Sequence, residues 1–169
     1  GGVMGTQGPG DFFDTIVLGE RKRRHWISGS NGFSRTLDFP ESTPETAINQ
    51  LIHLVMVYQE DGTTLLYRNG TQYGKPFKRS RATFPKDRTS IIFGLRHLPP
   101  GGNKYLNVTI DKARLYNRAL TAEEVDASAS GKNLFVSEID TLKAMTDQQK
   151  KEMVVMKETL SQANEAHKK

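Results

Sequence analysis

The sequence predicts an all-β domain, an antiparallel sandwich of two sheets, followed by an α-helical extension. Short apolar runs alternate with turn signals between residues 12 and 117, and two hairpin dipeptides connect three of these runs. After residue 128 the apolar pattern changes to a helical period. Turn signals at such regular spacing favour an antiparallel sandwich over parallel strands joined by helices. We therefore expect a sandwich over residues 1–130 and a helical linker or tail over residues 131–169.

Eight apolar runs are candidate strands, and two of their connections are well specified. Asp61-Gly62 is predicted to join the fourth run to the fifth, and Asn69-Gly70 the fifth to the sixth, because both dipeptides supply the positive φ angles of two-residue hairpin turns. The fourth run is apolar on both faces, which predicts a strand covered on both sides. The runs comprise residues 12–19, 25–30, 33–39, 51–59, 63–68, 71–74, 89–95 and 105–116.

Composition limits the available chemistry. The chain has 169 residues, of which 36% are hydrophobic, enough for one sandwich core. It has no cysteine, which excludes disulfides, thiolate nucleophiles and cysteine-based zinc sites. The four histidines lack metal-ligand spacing, so we predict neither a cofactor nor a metal centre. No apolar run approaches the ~18 residues of a membrane span, and no spacing typical of sequence-specific nucleic-acid binding is present.

The segment over residues 109–125 is the most informative part of the chain. Its first half alternates like a strand, and the pattern ends at Asn117. Thr121 is then a candidate helix N-cap, with Glu123 and Glu124 in the first turn, where the helix dipole favours negative charge. We expect a strand followed by a short capped helix.

The order of residues 110–125, I-D-K-A-R-L-Y-N-R-A-L-T-A-E-E-V, resembles the end of laminin-G-like, concanavalin A-like jelly-roll domains. Such domains typically read I-D-x-x-R-x-Y-N-R-A-L-S/T-x-E-E-V/I there. Y-R-N-G at residues 67–70 and F-G-L-R-H at residues 93–97 resemble the form embedded in large bacterial multidomain proteins of unknown function. The resemblance implies a concanavalin A-like jelly roll over most of the chain.

The resemblance also carries expectations about function and completeness. It implies a non-catalytic module of a larger exported protein, extracellular or periplasmic, that recognises carbohydrate or another polymer. Calcium held by loop oxygens stays open, because members of the family often bind it. A complete domain usually begins with a further strand roughly thirty residues before the string that begins at Phe13, and here it is missing. Either that strand lies outside this sequence, or the edge that it would cover is filled otherwise. The alternative function is a structural or protein-interaction domain without a small ligand, which docks through its helix and an exposed sheet edge.

Glycoside hydrolysis is tested by the spacing of carboxylates. Retaining glucanases of this architecture present an E-x-D-x-E or E-x-D-x-x-E motif on one strand, because two carboxylates must flank the scissile bond. Two E-x-D strings occur, Glu124-Val125-Asp126 in the predicted capped helix and Glu138-Ile139-Asp140 in the helical tail, and neither has the third acid. On a helix, residues two apart point away from each other. We therefore predict that the chain is not an enzyme.

Six residues are candidate ligand contacts. Trp26 is either a sugar-stacking platform or a core residue. Two arginines lie on otherwise apolar faces, so they either pair with acids such as Asp14 and Asp38 or line a groove. The remaining candidates are a histidine on the strand face and two residues of a Pro/Gly-rich loop, which otherwise merely connects strands. The full set is Trp26, Arg35, Arg96, His97, Asn103 and Tyr105.

Two basic segments and the tail suggest partners. Residues 20–25 and 75–88 are rich in lysine and arginine, and each is either a polyanion contact or a solvated loop. In the tail, Thr146 and Gln149 form a predicted capping box. A heptad seam there predicts either one amphipathic helix that packs on the sandwich or leads to another domain, or a self-associating coiled coil. The seam consists of Ile139, Leu142, Thr146, Gln149, Met153, Met156, Leu160, Ala163 and His167.

Overall fold

The computed structural model describes residues 1–101, 105–132 and 138–166, and it forms two compact units, Gly1–Lys132 and Asn133–Lys169. Among the described residues, the first unit contains eight strands and one α-helix, and the second contains two α-helices. The strands are β1 Gly2–Gln7, β2 Phe13–Leu18, β3 Trp26–Ser30, β4 Leu54–Tyr58, β5 Thr63–Arg68, β6 Thr71–Gln72, β7 Phe77–Lys78 and β8 Ser90–Phe93. The helices are α1 Ala122–Ala129, α2 Glu138–Ala144 and α3 Asp147–Ala166.

The strands form two antiparallel sheets. The first sheet has the order β3-β2-β1-β8. The second has the order β4-β5-β6, and β7 also pairs with β5. The predicted fold class, an antiparallel two-sheet sandwich with a C-terminal helical extension, is confirmed.

Two apolar clusters stabilise this arrangement. Five buried residues form the cluster between the sheets: Trp26, Phe39, Leu66, Tyr73 and Phe77. On the outer face of the second sheet, Val57 of β4 packs with Leu120 and with Val125 of α1. Strand β4 is therefore covered on both faces, as its apolar pattern predicts, and helix α1 contributes the outer cover.

Most of the turns and helix caps predicted from the sequence are present. Asn69 and Gly70 have φ angles of 52° and 82° and connect β5 directly to β6. The connection from β4 to β5 is longer than the predicted two-residue turn. Gln59 and Thr63 are bonded across it, and Gly62 supplies a φ of 87°.

The predicted N-cap of α1 and the predicted capping box before α3 are both present, and the structure makes the first a capping box too. Thr121 caps α1 with Glu124 as the reciprocal partner. Before α3, the Thr146 hydroxyl accepts from the Gln149 amide, and the Gln149 side chain accepts in return. The two interpretations of the tail seam, packing or self-association, stay predictions. In the described part of the chain, no helix combines the length and apolar character needed to cross a membrane.

Strand β1 is absent from the sequence prediction, although it lies inside the first sheet between β2 and β8. Its glycines hide the strand pattern, and the packing explains why they are there. A Cβ on Gly5 would lie 2.1 Å from Thr15 Oγ1, and one on Gly2 would lie 2.3 Å from the Leu95 carbonyl oxygen. Glycine within a strand marks such close approach of backbone and neighbour.

The predicted strand over residues 33–39 is wrong. Residues Asn31–Phe33 form a 3-10 turn, in which Gly32 and Phe33 have positive φ angles of 53° and 55°. Asp38 alone forms an isolated bridge to β3, opposite Ile27. The apolar alternation misled the prediction because Leu37 and Phe39 pack into the core from an irregular connection, while Phe33 is 44% exposed.

The strand predicted over residues 105–116 is also absent, because these residues join neither sheet. Most of their apolar members are exposed, including Ile110 at 37% and Leu115 at 66%, although Leu106 and Tyr116 are half-buried. Within the described residues the outer edge of β4 also lacks a neighbouring strand.

Candidate functional site

Four of the candidate residues belong to buried or half-buried ion pairs or bond to them, and Trp26 is the most buried of the four. The Trp26 side chain is 3% exposed and donates its indole N–H to Glu45 Oε2 at 2.8 Å. Arg68 of β5 donates to both oxygens of the same carboxylate, at 2.8 and 2.7 Å. The platform interpretation of Trp26 is therefore wrong, because a buried indole offers no surface for stacking.

Glu45 is held ionised by this geometry. It is 9% exposed, and its Oε1 also accepts the backbone amides of Thr46 and Ala47. The Arg68 guanidinium contributes most to lowering the pKa of Glu45 to about 2, against the opposing effect of burial. A fully paired carboxylate of this kind acts as a structural bridge between sheets and has no free lone pair for proton transfer.

Arg35 forms the second ion pair, with the Asp14 acid that the sequence suggests. Its Nε and Nη2 donate to Asp14 Oδ1 at 3.1 and 2.9 Å, and Nη2 also donates to the Phe13 carbonyl and Asn31 Oδ1. The guanidinium lies 4.5 Å from the centroid of the Phe12 ring. Both charged side chains are about nine-tenths buried. Burial raises the pKa of Asp14, and the Arg35 hydrogen bond opposes this.

Arg96 pairs with Glu20 rather than with Asp38. It also donates from Nη2 to His97 Nε2 at 3.0 Å. The His97 ring stacks on Phe13 at a centroid distance of 4.8 Å. Burial and then the Arg96 charge lower the pKa of His97. A neutral imidazole that accepts from a guanidinium is the state this arrangement favours.

These candidates divide between two places. Arg35, Arg96 and His97 all contact residues at the start of β2, whereas Trp26 lies opposite Leu18 at the other end of that strand. Tyr105 is 69% exposed, and its backbone passes beside Gly1. Asn103 lies outside the described residues.

A shallow pocket lies beside these groups. Gly1, Val17, Glu20 and Arg96 line it. Glu20 Oε2 and Arg96 Nε are buried there without a hydrogen-bond partner among the described residues. The pocket is too small for a sugar ring, so any polymer would lie across the surface that surrounds it.

Sequence reasoning missed the acidic partners Glu20 and Glu45. Glu20 sits beside a run of cations, which suggests a solvated loop, and Glu45 sits in a polar stretch with no pattern. Asp38, which the sequence offers to Arg35 or Arg96, instead pairs with Arg21 at 3.1 Å. A search for acids to balance the buried arginines could have found these carboxylates, although it could not have ranked them.

No group of three or more metal-ligating side chains is gathered within the described residues. His25 shows what the histidines do instead, since its Nδ1 lies 3.0 Å from the Ser42 hydroxyl. The His53 Nε2 atom similarly lies 3.1 Å from the Ser128 hydroxyl of α1. Both side chains join elements of the first unit.

Comparison with protein families places the chain. The family described as the concanavalin A-like lectin/glucanases superfamily matches residues 3–126, and the chain belongs to this superfamily. A search of curated protein sequences gives no match. Among solved structures, an S-layer domain-containing protein (residues 221–444) from Clostridium thermocellum ATCC 27405 is similar, with a TM-score of 0.44 and 20% identity. The match covers 73% of this chain and 59% of that one, so the chain spans less than two thirds of that neighbour.

Proposed function

We propose that this member of the concanavalin A-like lectin/glucanases superfamily is a non-catalytic binding module that recognises carbohydrate or another extracellular polymer. It would act as part of a larger exported protein, in an extracellular or periplasmic setting. Superfamily membership supports a binding scaffold, and the state of the acids in the sandwich supports the absence of catalysis.

The buried ion pairs are the observation that carries the proposal. Hydrolysis of a glycosidic bond needs two carboxylates free to face the substrate. In the described sandwich the buried acids Asp14, Glu20 and Glu45 each lie in an ion pair with an arginine. Removing a carboxylate from such a pair leaves an uncompensated buried charge, which is strongly unfavourable. These three acids therefore stabilise the fold, and we do not expect them to act on a substrate.

Binding would then use exposed side chains around the loops. Tyr105 is 69% exposed and offers an aromatic face of the kind that packs against the apolar side of a sugar ring. Arg96 is half-buried and lines the pocket with Gly1, beside which the Tyr105 backbone also passes, and the half-buried His97 follows Arg96 in the chain. A polymer lying across this surface would meet one aromatic ring and two nitrogen-rich groups.

The test is affinity electrophoresis of the intact chain in gels that contain neutral or anionic polysaccharides. We expect retention in at least one gel, and no release of reducing ends when the same polymer is incubated with the protein. The variant Tyr105→Ala should lose part of the retention, whereas Leu115→Ala, which also removes an exposed apolar side chain, should keep it. Migration unchanged by every polymer would refute the proposal, as would reducing-end release.

A second function, a protein-interaction domain without a small ligand, is favoured by the uncovered part of the sandwich. Phe93 of β8 lies opposite Met4, which lies opposite Ile16. The three therefore share the face of the first sheet that packs on the core, yet Phe93 is 47% exposed. Together with the unpaired edge of β4, this leaves room for a strand from another chain.

Light scattering over a range of concentrations tests this second function with a second copy as the partner. If strands pair between copies, the mass rises with concentration, and Phe93→Thr restores a monomer. Leu160→Thr in α3 is the matched control, because it removes an exposed apolar residue from the helix instead. A mass independent of concentration contradicts pairing between copies, and a monomer produced by Leu160→Thr alone assigns the assembly to the helix.

A further inference from the structure

The positive charge of the chain is concentrated in one short segment. Residues 75–88 contain six basic residues and one acidic residue, a net charge of +5, which equals that of all 169 residues. The remainder of the chain is therefore neutral overall. A local excess of this size raises the concentration of anions near one part of the surface.

The structure separates this segment from the other basic run of the sequence. In residues 20–25, Arg21 pairs with Asp38 and Arg24 donates to the Glu45 carbonyl at 2.7 Å. These contacts engage two of the four cations of that run, and Lys22 and Arg23 remain exposed. The two lysines nearest the strands of the second segment are also paired, Lys75 with Glu41 and Lys78 with Asp61.

The basic loop comprises residues 79–89 between β7 and β8, and its cationic side chains are exposed to solvent. All four are exposed, and the structure gives none of them an ion pair with a described acid. The one acid of the loop is Asp87. The four cations are Arg79, Arg81, Lys86 and Arg88.

The backbone of the basic loop is fixed at three points. At its start, the Arg79 amide donates to the Gly62 carbonyl at 3.0 Å. In its middle, the Phe84 ring contacts the Phe12 ring at a centroid distance of 5.2 Å. At its end, a 3-10 turn over Lys86–Arg88 leads into β8. Fixing the loop in advance reduces the entropy lost when a ligand binds its side chains.

We infer that the basic loop binds a linear anionic polysaccharide, one that carries carboxylate or sulfate groups at regular intervals. Guanidinium groups donate two parallel hydrogen bonds to such groups, which suits the three arginines of the loop. The aromatic ring of the loop, Phe84, is half-buried against Phe12 and so offers no face on which nucleic-acid bases could stack. The inference rests on the proposed polymer-binding function and names the class of polymer.

The test compares binding of the intact chain to polygalacturonate, to a neutral glucan of equal length and to duplex DNA, at low and moderate salt. We expect binding to polygalacturonate that weakens steeply with salt. Replacing the four cations by glutamine (R79Q, R81Q, K86Q and R88Q) should weaken it about tenfold or more, because each exposed ion pair contributes a factor of a few. A matched control, K22Q, R23Q, K112Q and K132Q, removes the same charge from other exposed positions of the first unit and should bind as the unchanged chain does.

Each of the other outcomes refutes either the assignment to the basic loop, the class of polymer, or the proposed function itself. Equal loss in both quadruple variants, or no loss in the first, refutes the assignment to the basic loop. Equal or stronger binding of the neutral glucan refutes the anionic class but leaves the proposed polymer-binding function intact. Tighter binding of duplex DNA than of polygalacturonate refutes the polysaccharide as the occupant. If the chain binds none of these polymers, both the inference and the proposed function are refuted.

Discussion

The indole nitrogen of Trp26 lies 2.8 Å from Oε2 of Glu45, and this hydrogen bond joins the two sheets of the sandwich. Trp26 begins β3 in the first sheet. The same carboxylate accepts from Arg68, the last residue of β5 in the second sheet. Glu45 itself lies in the connection between β3 and β4, so a single loop residue bridges both layers.

The first prediction concerns removal of this bridge. Glu45→Ala leaves both the buried indole N–H and the Arg68 guanidinium without their acceptor, so we expect the free energy of unfolding to fall by about 2–4 kcal/mol. Glu60→Ala, in the exposed turn after β4, should change it by less than about 0.5 kcal/mol. Urea denaturation followed by tryptophan fluorescence measures both. If the two variants are equally stable, the bridge that Glu45 forms between the sheets does not stabilise the fold.

The second prediction is the pH dependence of stability. The pKa of Glu45 is lowered from 4.5 to about 2 in the folded chain. Its contribution is therefore complete above pH ~4.5 and is lost as the pH falls toward 2. The pKa of Asp14 is raised, so its titration opposes this trend. We expect Glu45→Gln to flatten the acid limb of a stability profile between pH 2 and 5. An unchanged slope would contradict the assignment.

The third prediction uses the buried pair of Arg35 and Asp14. Arg35→Ala leaves the buried Asp14 carboxylate unpaired and should cost about 3 kcal/mol. Asp14→Asn leaves the Arg35 charge unpaired as well, but the asparagine oxygen still accepts from the guanidinium, so it should cost less. Arg35→Lys should not restore stability, because an ammonium cannot reproduce the planar set of contacts to Asp14, Phe13 and Asn31. Chemical denaturation of the three variants tests this order, and recovery by lysine would contradict it.

The fourth prediction tests strand β1. A methyl group on Gly5 would lie 2.1 Å from Thr15 Oγ1, and that hydroxyl is held by a 2.6 Å hydrogen bond to the Arg96 carbonyl. Gly5→Ala should therefore lower the unfolding free energy by about 1–3 kcal/mol through overpacking. Gly8→Ala, whose added methyl would meet neighbours no closer than 3.5 Å, is the control. Thermal denaturation compares the two variants. If Gly8→Ala is the less stable one, Gly5 does not lie against Thr15 and the position of β1 in the sheet is wrong.

Features set by neighbouring residues could be predicted from the sequence. The Asn69-Gly70 turn depends on φ angles that these two residue types adopt readily, and the Thr121 cap depends on a partner three residues away. Such interactions are local, so a short string contains all the information they need. The apolar faces of β4 likewise indicate correctly that both are covered.

Features set by distant partners could not be predicted. Strand β1 reads as a glycine-rich linker because the reason for each glycine, Thr15 or Leu95, lies elsewhere in the chain. Trp26 could be core or platform until Glu45 is placed beside it. The pairing of Arg96 with Glu20 joins residues far apart in sequence, and several other acids fit the sequence equally well.

The most direct test of the central claim is one incubation of the intact chain with polygalacturonate, with bound protein and polymer length measured on the same sample. We expect the protein to bind, the binding to weaken as the salt concentration rises, and the polymer to keep its length. A polymer that becomes shorter, or a protein that stays unbound at low salt, would contradict this claim.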